Sequence, residues 1–123
     1  MYEEAGLSSL ERLVGKHVSS ICFLPGYVQI RFEDLVLTCY TNPSVTISGE
    51  KFEHRMQGFK DALCTLIGKT VQSAVETLRE ELAVYFDDSD WITISLRFAD
   101  ATSVEAAMLS SQGGAIYNVW RYE

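Results

Sequence analysis

The sequence predicts an α+β fold: antiparallel β-meanders with short covering helices, arising from internal duplication of a unit of one helix and three strands. Three observations predict it. The stretch Leu66-Ile67-Gly68-Lys69-Thr70-Val71-Gln72-Ser73 repeats Leu13-Val14-Gly15-Lys16-His17-Val18-Ser19-Ser20, and Leu63 stands to Leu66 as Leu10 stands to Leu13. Apolar residues alternate at Val28, Ile30 and Phe32 and again at Leu82, Val84 and Phe86, which is the period of a half-buried strand. Each copy also opens on apolar residues three and four apart and closes on a glycine, as an amphipathic helix does. With 123 residues the chain reads as one domain, 1–123, because either half alone (about 8–58 or about 59–123) would bury too little core.

Ser8-Ser9-Leu10-Glu11 matches a capping box, in which hydroxyl and carboxylate satisfy free amides at a helix start. Leu10, Leu13 and Val14 give the first helix its apolar face and Gly15 its end. Residues 18–24 are β-branched and apolar, and Pro25-Gly26 reverses them. Residues 27–32 alternate, Glu33-Asp34 turns, and residues 35–40 complete a three-stranded meander. Past Asn42-Pro43, Val45 and Ile47 alternate, Gly49-Glu50 suits a Gly-first hairpin, and Phe52, His54 and Met56 alternate on the return strand. Phe59, Ala62, Leu63, Leu66 and Ile67 make the clearest helical stripe. Strands at 70–77, 82–86 and 91–97 then restate the meander, with Asp87-Asp88 answering Glu33-Asp34. Thr102-Ser103-Val104-Glu105 is a further capping box, and Val104, Ala107 and Met108 predict a third helix. A loop at 110–114 leads to an aromatic closing strand at 115–122.

No apolar run approaches the ~20 residues that span a bilayer, so no membrane association is expected. Met1-Tyr2-Glu3-Glu4 is acidic where a secretory signal is basic. Cys22, Cys39 and Cys64 are odd in number and lie in apolar segments, which predicts buried thiols in a reducing cytoplasm. Net charge is -7, and its placement is uneven. Eight acids meet seven bases up to Ala74, whereas residues 75–105 hold eight acids against Arg79 and Arg97. Such a field repels phosphate backbones and attracts basic proteins; a basic protein partner is expected, and nucleic acid is not.

Catalytic and metal constellations are not found. His17 and His54 have no Cys, His or carboxylate at ligand spacing. Asp87-Asp88-Ser89-Asp90 gathers carboxylates like a calcium loop, but Ile92 and Thr93 occupy the positions of a ligand and the turn glycine, so the run reads as a solvated hairpin tip. Gly113-Gly114 has no following Lys and is no phosphate loop. No metal site, no catalytic residue and no cofactor is therefore assigned.

What the residues suggest instead is a surface. Glu81 and Tyr85 alternate away from the core, Trp91 lies on the same side, and Glu80, Asp87, Asp88 and Asp90 surround them. Aromatic anchors inside a charged rim are the makings of a protein-binding site. The Leu-Val/Ile-Gly-Lys run before a strand, Tyr27-Val28-Gln29-Ile30-Arg31-Phe32-Glu33-Asp34 and the closing Val119-Trp120 resemble small bacterial proteins of unassigned function. Some such acidic proteins look like cognate immunity partners of secreted toxins, and the resemblance implies a non-enzymatic protein-binding module. Two alternatives are a small-molecule or catalytic domain with a pocket between the repeats, holding His17, His54 or a cysteine, and a homodimer joined through the C-terminal strand.

Overall fold

The computed structural model describes residues 9–87, 89–97 and 104–122. They form a largely β architecture rather than the expected α+β one. Ten strands build two five-stranded antiparallel sheets. The strands are β1 (Ser20–Leu24), β2 (Tyr27–Phe32), β3 (Leu35–Cys39), β4 (Ser44–Ile47), β5 (Glu50–Phe52), β6 (Ser73–Thr77), β7 (Glu81–Tyr85), β8 (Trp91–Ser95), β9 (Glu105–Ser111) and β10 (Ile116–Arg121). The only α-helix among the described residues is α1 (Phe59–Cys64). The first expected helix is a 3-10 turn, Ser9–Leu13, and Ser8 of its capping box lies outside the described residues. The third expected helix is strand β9.

The sheet orders are β1-β2-β3-β9-β10 and β5-β4-β8-β7-β6. Each sheet is a meander from one half of the chain extended by a hairpin from the other. The repeating unit is therefore five strands with a short helical turn, not one helix with three strands. Exchanging the halves maps one sheet order onto the other. Where the halves meet, His17 and Thr70 form an isolated antiparallel bridge. Around it Gly15 N–H donates to Val71 O (2.9 Å) and Gly68 N–H to Val18 O (2.8 Å), while Val18 N–H donates to Lys69 O (2.9 Å) and Val71 N–H to Lys16 O (2.8 Å). The second bond of each pair is the first with the halves exchanged. The doubled Gly-Lys motif is thus the seam of the molecule, and Gly15 and Gly68 sit there at φ +88° and +94°, a region costly for any residue with a Cβ.

Inward residues of both sheets join one core, including Ile30, Leu37 and Leu109 from the first and Leu82, Ile92 and Val45 from the second. Leu10, Leu13, Phe59, Leu63 and Leu66 enter that same core, so the helical turns add to the interior rather than cover an outer face. Val14 and Ile67, expected on the buried stripes, are 45% and 47% exposed, because helices of five and six residues bury only a narrow seam.

Two further expectations give way to tertiary pairing. β9 lies between β3 and β10, with Leu37 opposite Leu109 and Thr38 opposite Met108. The open ladder of β3 outweighs the local helical spacing of Val104, Ala107 and Met108. The β4–β5 hairpin turns on Ser48-Gly49, both at positive φ (53° and 83°), the type that matches strand twist. Its return strand stops at Phe52, and Met56 N–H donates back to Glu53 O (2.8 Å).

Of the three cysteines only Cys39 is buried; Cys22 and Cys64 are exposed. Cys22 lies on the outward side of β1, opposite Gln29. Burial pushes the Cys39 thiol up to about 12, which removes its reactive thiolate at neutral pH. A thiol-reactive chromogenic disulfide should therefore titrate two cysteines in the native protein and all three in denaturant. Three fast-reacting native thiols would contradict this placement of Cys39.

Candidate functional site

On β7 and β8 the residues that alternate with the core point outward. Tyr85 stands opposite Trp91, Ala83 opposite Thr93 and Glu81 opposite Ser95. β4 extends two of these rows, pairing Thr46 with Trp91 and Ser44 with Thr93. Tyr85 and Trp91 make a tilted ring contact, 5.9 Å between centroids at 45°. Both rings remain half-buried. Successive rows lie roughly 7 Å apart along the strands, so the aromatic pair is separated from Glu81 by the small Ala83–Thr93 row.

Beyond that row lies an open groove of about 480 Å³. Glu53, Glu80 and Glu81 line it together with Lys51, His54 and Arg97. Lys51 and Glu53 form a solvent-exposed ion pair at 3.4 Å, leaving Glu80 and Glu81 as the carboxylates on the meander side. Glu80 is placed by the β6–β7 turn, where its N–H donates to Thr77 O (2.9 Å) and its carbonyl accepts from Leu96 N–H (2.9 Å).

The acidic turn is organised differently from the sequence expectation of a solvated tip. Asp87 Oδ1 accepts the amides of Ser89 (2.9 Å) and Asp90 (2.7 Å), so this carboxylate closes its own turn. Asp88 lies outside the described residues. Asp90 is only 3% exposed; its Oδ2 pairs with the Lys69 ammonium and its Oδ1 accepts Ser48 N–H at 2.9 Å. The Lys69 ammonium foremost, and the Ser48 amide after it, hold the Asp90 carboxyl below its ordinary value. Asp90 thus serves the interior, joining the seam lysine to the β4–β5 turn, and leaves the outward face to Glu80, Glu81, Tyr85 and Trp91.

The first half has a surface lysine–carboxylate pair of its own, its carboxylate one residue before Leu35, the counterpart of Asp90. Lys16 pairs with Asp34 at 3.1 Å, and its ammonium, through that hydrogen bond, lowers the Asp34 carboxyl. His17 lies beside it, its N–H and Nδ1 at 3.0 and 2.8 Å from Glu33 Oε2. The backbone amide of His17 is the leading cause of the lowered Glu33 carboxyl. A lysine in each copy of the motif, followed by an acidic reversal in each meander, was the available sequence signal for the pairing of Lys69 with the buried Asp90.

His17 and His54 belong to different surroundings, and His54 packs edge-on to Phe59 at 6.5 Å. Among the described residues no three His, Cys, Asp or Glu side chains gather as a metal site, and no helix is long and apolar enough to cross a membrane. No family model, curated protein or solved structure matches the chain.

Proposed function

We propose that this chain is a non-enzymatic protein-binding module, immunity-like in manner, that docks a basic protein on the outward face of β7 and β8. The half-buried Tyr85–Trp91 pair on the outward side of β7 and β8 carries the proposal. Paired rings on a rigid strand pair bring apolar contact area at low entropic cost, and Glu80 and Glu81 two rows away give a basic partner orientation and speed of encounter. The acidic excess of residues 75–105 supports the same reading.

The test is association with basic proteins encoded beside it, followed calorimetrically at rising salt. Affinity should fall as salt rises. Trp91→Ala and Tyr85→Ala should each weaken binding by roughly tenfold or more, the effect of losing an interface anchor. Absence of binding at low ionic strength, or binding indifferent to both substitutions, would count against the face. Self-association through β10 has less support. Its pairing with β9 is interrupted at two places, and Arg12 stacks over its Tyr117 ring at 4.1 Å, both features that blunt an edge strand.

A further inference from the structure

We infer that the hollow between the β1–β2 turn and the start of α1 is a binding site for a small aromatic or branched aliphatic carboxylate; it adjoins the groove of the proposed docking face, sharing Asn42 and His54 with it, but not Tyr85 or Trp91. Its volume is about 440 Å³, within the range of small-ligand pockets. Phe23, Tyr27 and Phe59 supply apolar walls, and Asn42, His54 and Lys60 supply the polar groups. Phe59 is only 4% exposed, so that wall is fixed by the core. Among the described residues no Asp or Glu lines the hollow, in a chain whose net charge is -7.

Lys60 decides the sign of the ligand. Its ammonium sits 5.4 Å from the Phe23 ring centroid, a cation–π seat. Among the described residues it has no carboxylate partner. An ammonium, an amide and an imidazole N–H beside aromatic walls suit a carboxylate with an apolar body. The other half offers an internal comparison. The corresponding hollow beside the β6–β7 turn, about 380 Å³, has Glu76 in its lining, and its Arg121 is engaged by Glu105 at 3.3 Å. Arg79 also lines that hollow, so what separates the two among the described residues is the carboxylate of Glu76, which the hollow beside Lys60 lacks.

The probe is 3-phenylpropanoate, with 3-phenylpropanamide as its neutral counterpart, titrated into the full chain and followed by amide NMR shifts. The acid should give saturable shifts at Gly26, Asn42 and Lys60 and bind about tenfold more tightly than the amide, the effect of one charge-assisted contact. Lys60→Gln, an exposed substitution that should leave the spectrum of the fold intact, should bring the acid down to the affinity of the amide and leave the amide unchanged. Equal affinity for both probes, an unchanged acid affinity in Lys60→Gln, shifts centred on Glu76 and Trp120, or no saturable shifts would each overturn the site. Because Tyr85 and Trp91 are not in its lining, Trp91→Ala should leave this binding as it was, and a loss there would also overturn it.

Discussion

Leu37→Ala and Ile92→Ala will each destabilise the whole molecule, by similar amounts of about 2–5 kcal/mol. Both side chains are fully buried. Leu37 sits between Ile30 and Leu109 in the first sheet, and Ile92 between Val84 and Val45 in the second. They occupy equivalent places when the halves are exchanged, and both belong to the one core that the sheets share. Truncation removes transfer free energy and leaves a cavity walled by residues of both halves. Trp91 reports on the second sheet and Trp120 on the first, so urea unfolding of single-tryptophan versions distinguishes the outcomes. Both reporters should move together in both variants. A Leu37→Ala protein in which Trp120 unfolds early while Trp91 keeps its midpoint would mean two cores instead of one.

Loss of the Lys69–Asp90 pair should rank next. Lys69→Met should cost about 3 kcal/mol, the lower end for stranding a buried charge, because the lysine side chain is 39% exposed and solvent screens its end of the pair. Asp90→Ala should cost less, about 2 kcal/mol, since the released ammonium reaches water and the loss is chiefly of charge-assisted hydrogen bonds. Leu35 shows what an apolar residue does at the equivalent place in the first half, where it is 5% exposed. The double substitution Lys69→Met with Asp90→Leu should accordingly recover most of the loss. Acid provides an independent check. The folded-state value of Asp90 is depressed, so its contribution is complete above the unfolded carboxyl value of about 4 and disappears as pH falls through the lower folded value. Wild type should lose stability more steeply below about pH 4 than the double variant, as read from urea midpoints; parallel profiles would remove Asp90 from the account.

Local pattern carried the meanders well. The alternation of Val28, Ile30 and Phe32 places β2 at Tyr27–Phe32, and the outward phase of Tyr85 and Trp91 follows from the same period. What stayed hidden depended on segments far apart in the chain. Val104, Ala107 and Met108 carry helical spacing, and nothing nearby reveals that β3 will present an open ladder to them. The run Asp87-Asp88-Ser89-Asp90 reads as a solvated tip because its burial is imposed by Lys69 and Ser48, which arrive from other elements. The α+β expectation failed for a related reason: glycine-closed stripes indicate helical turns but not their length, and these are too short to form a covering layer. Of the candidate face, the rings and the two glutamates were readable, whereas the removal of Asp90 from it required knowing its ion pair.

The exchanged hairpins also govern the order in which the protein can come together during synthesis. β1, β2 and β3 emerge early, but the free side of β3 must wait for β9 to be translated. β4 and β5 likewise precede the β8 strand on which they dock. Such distant pairing slows folding, and a nascent chain bearing unmatched strands is vulnerable to sticking to its neighbours on a polysome until the second half arrives.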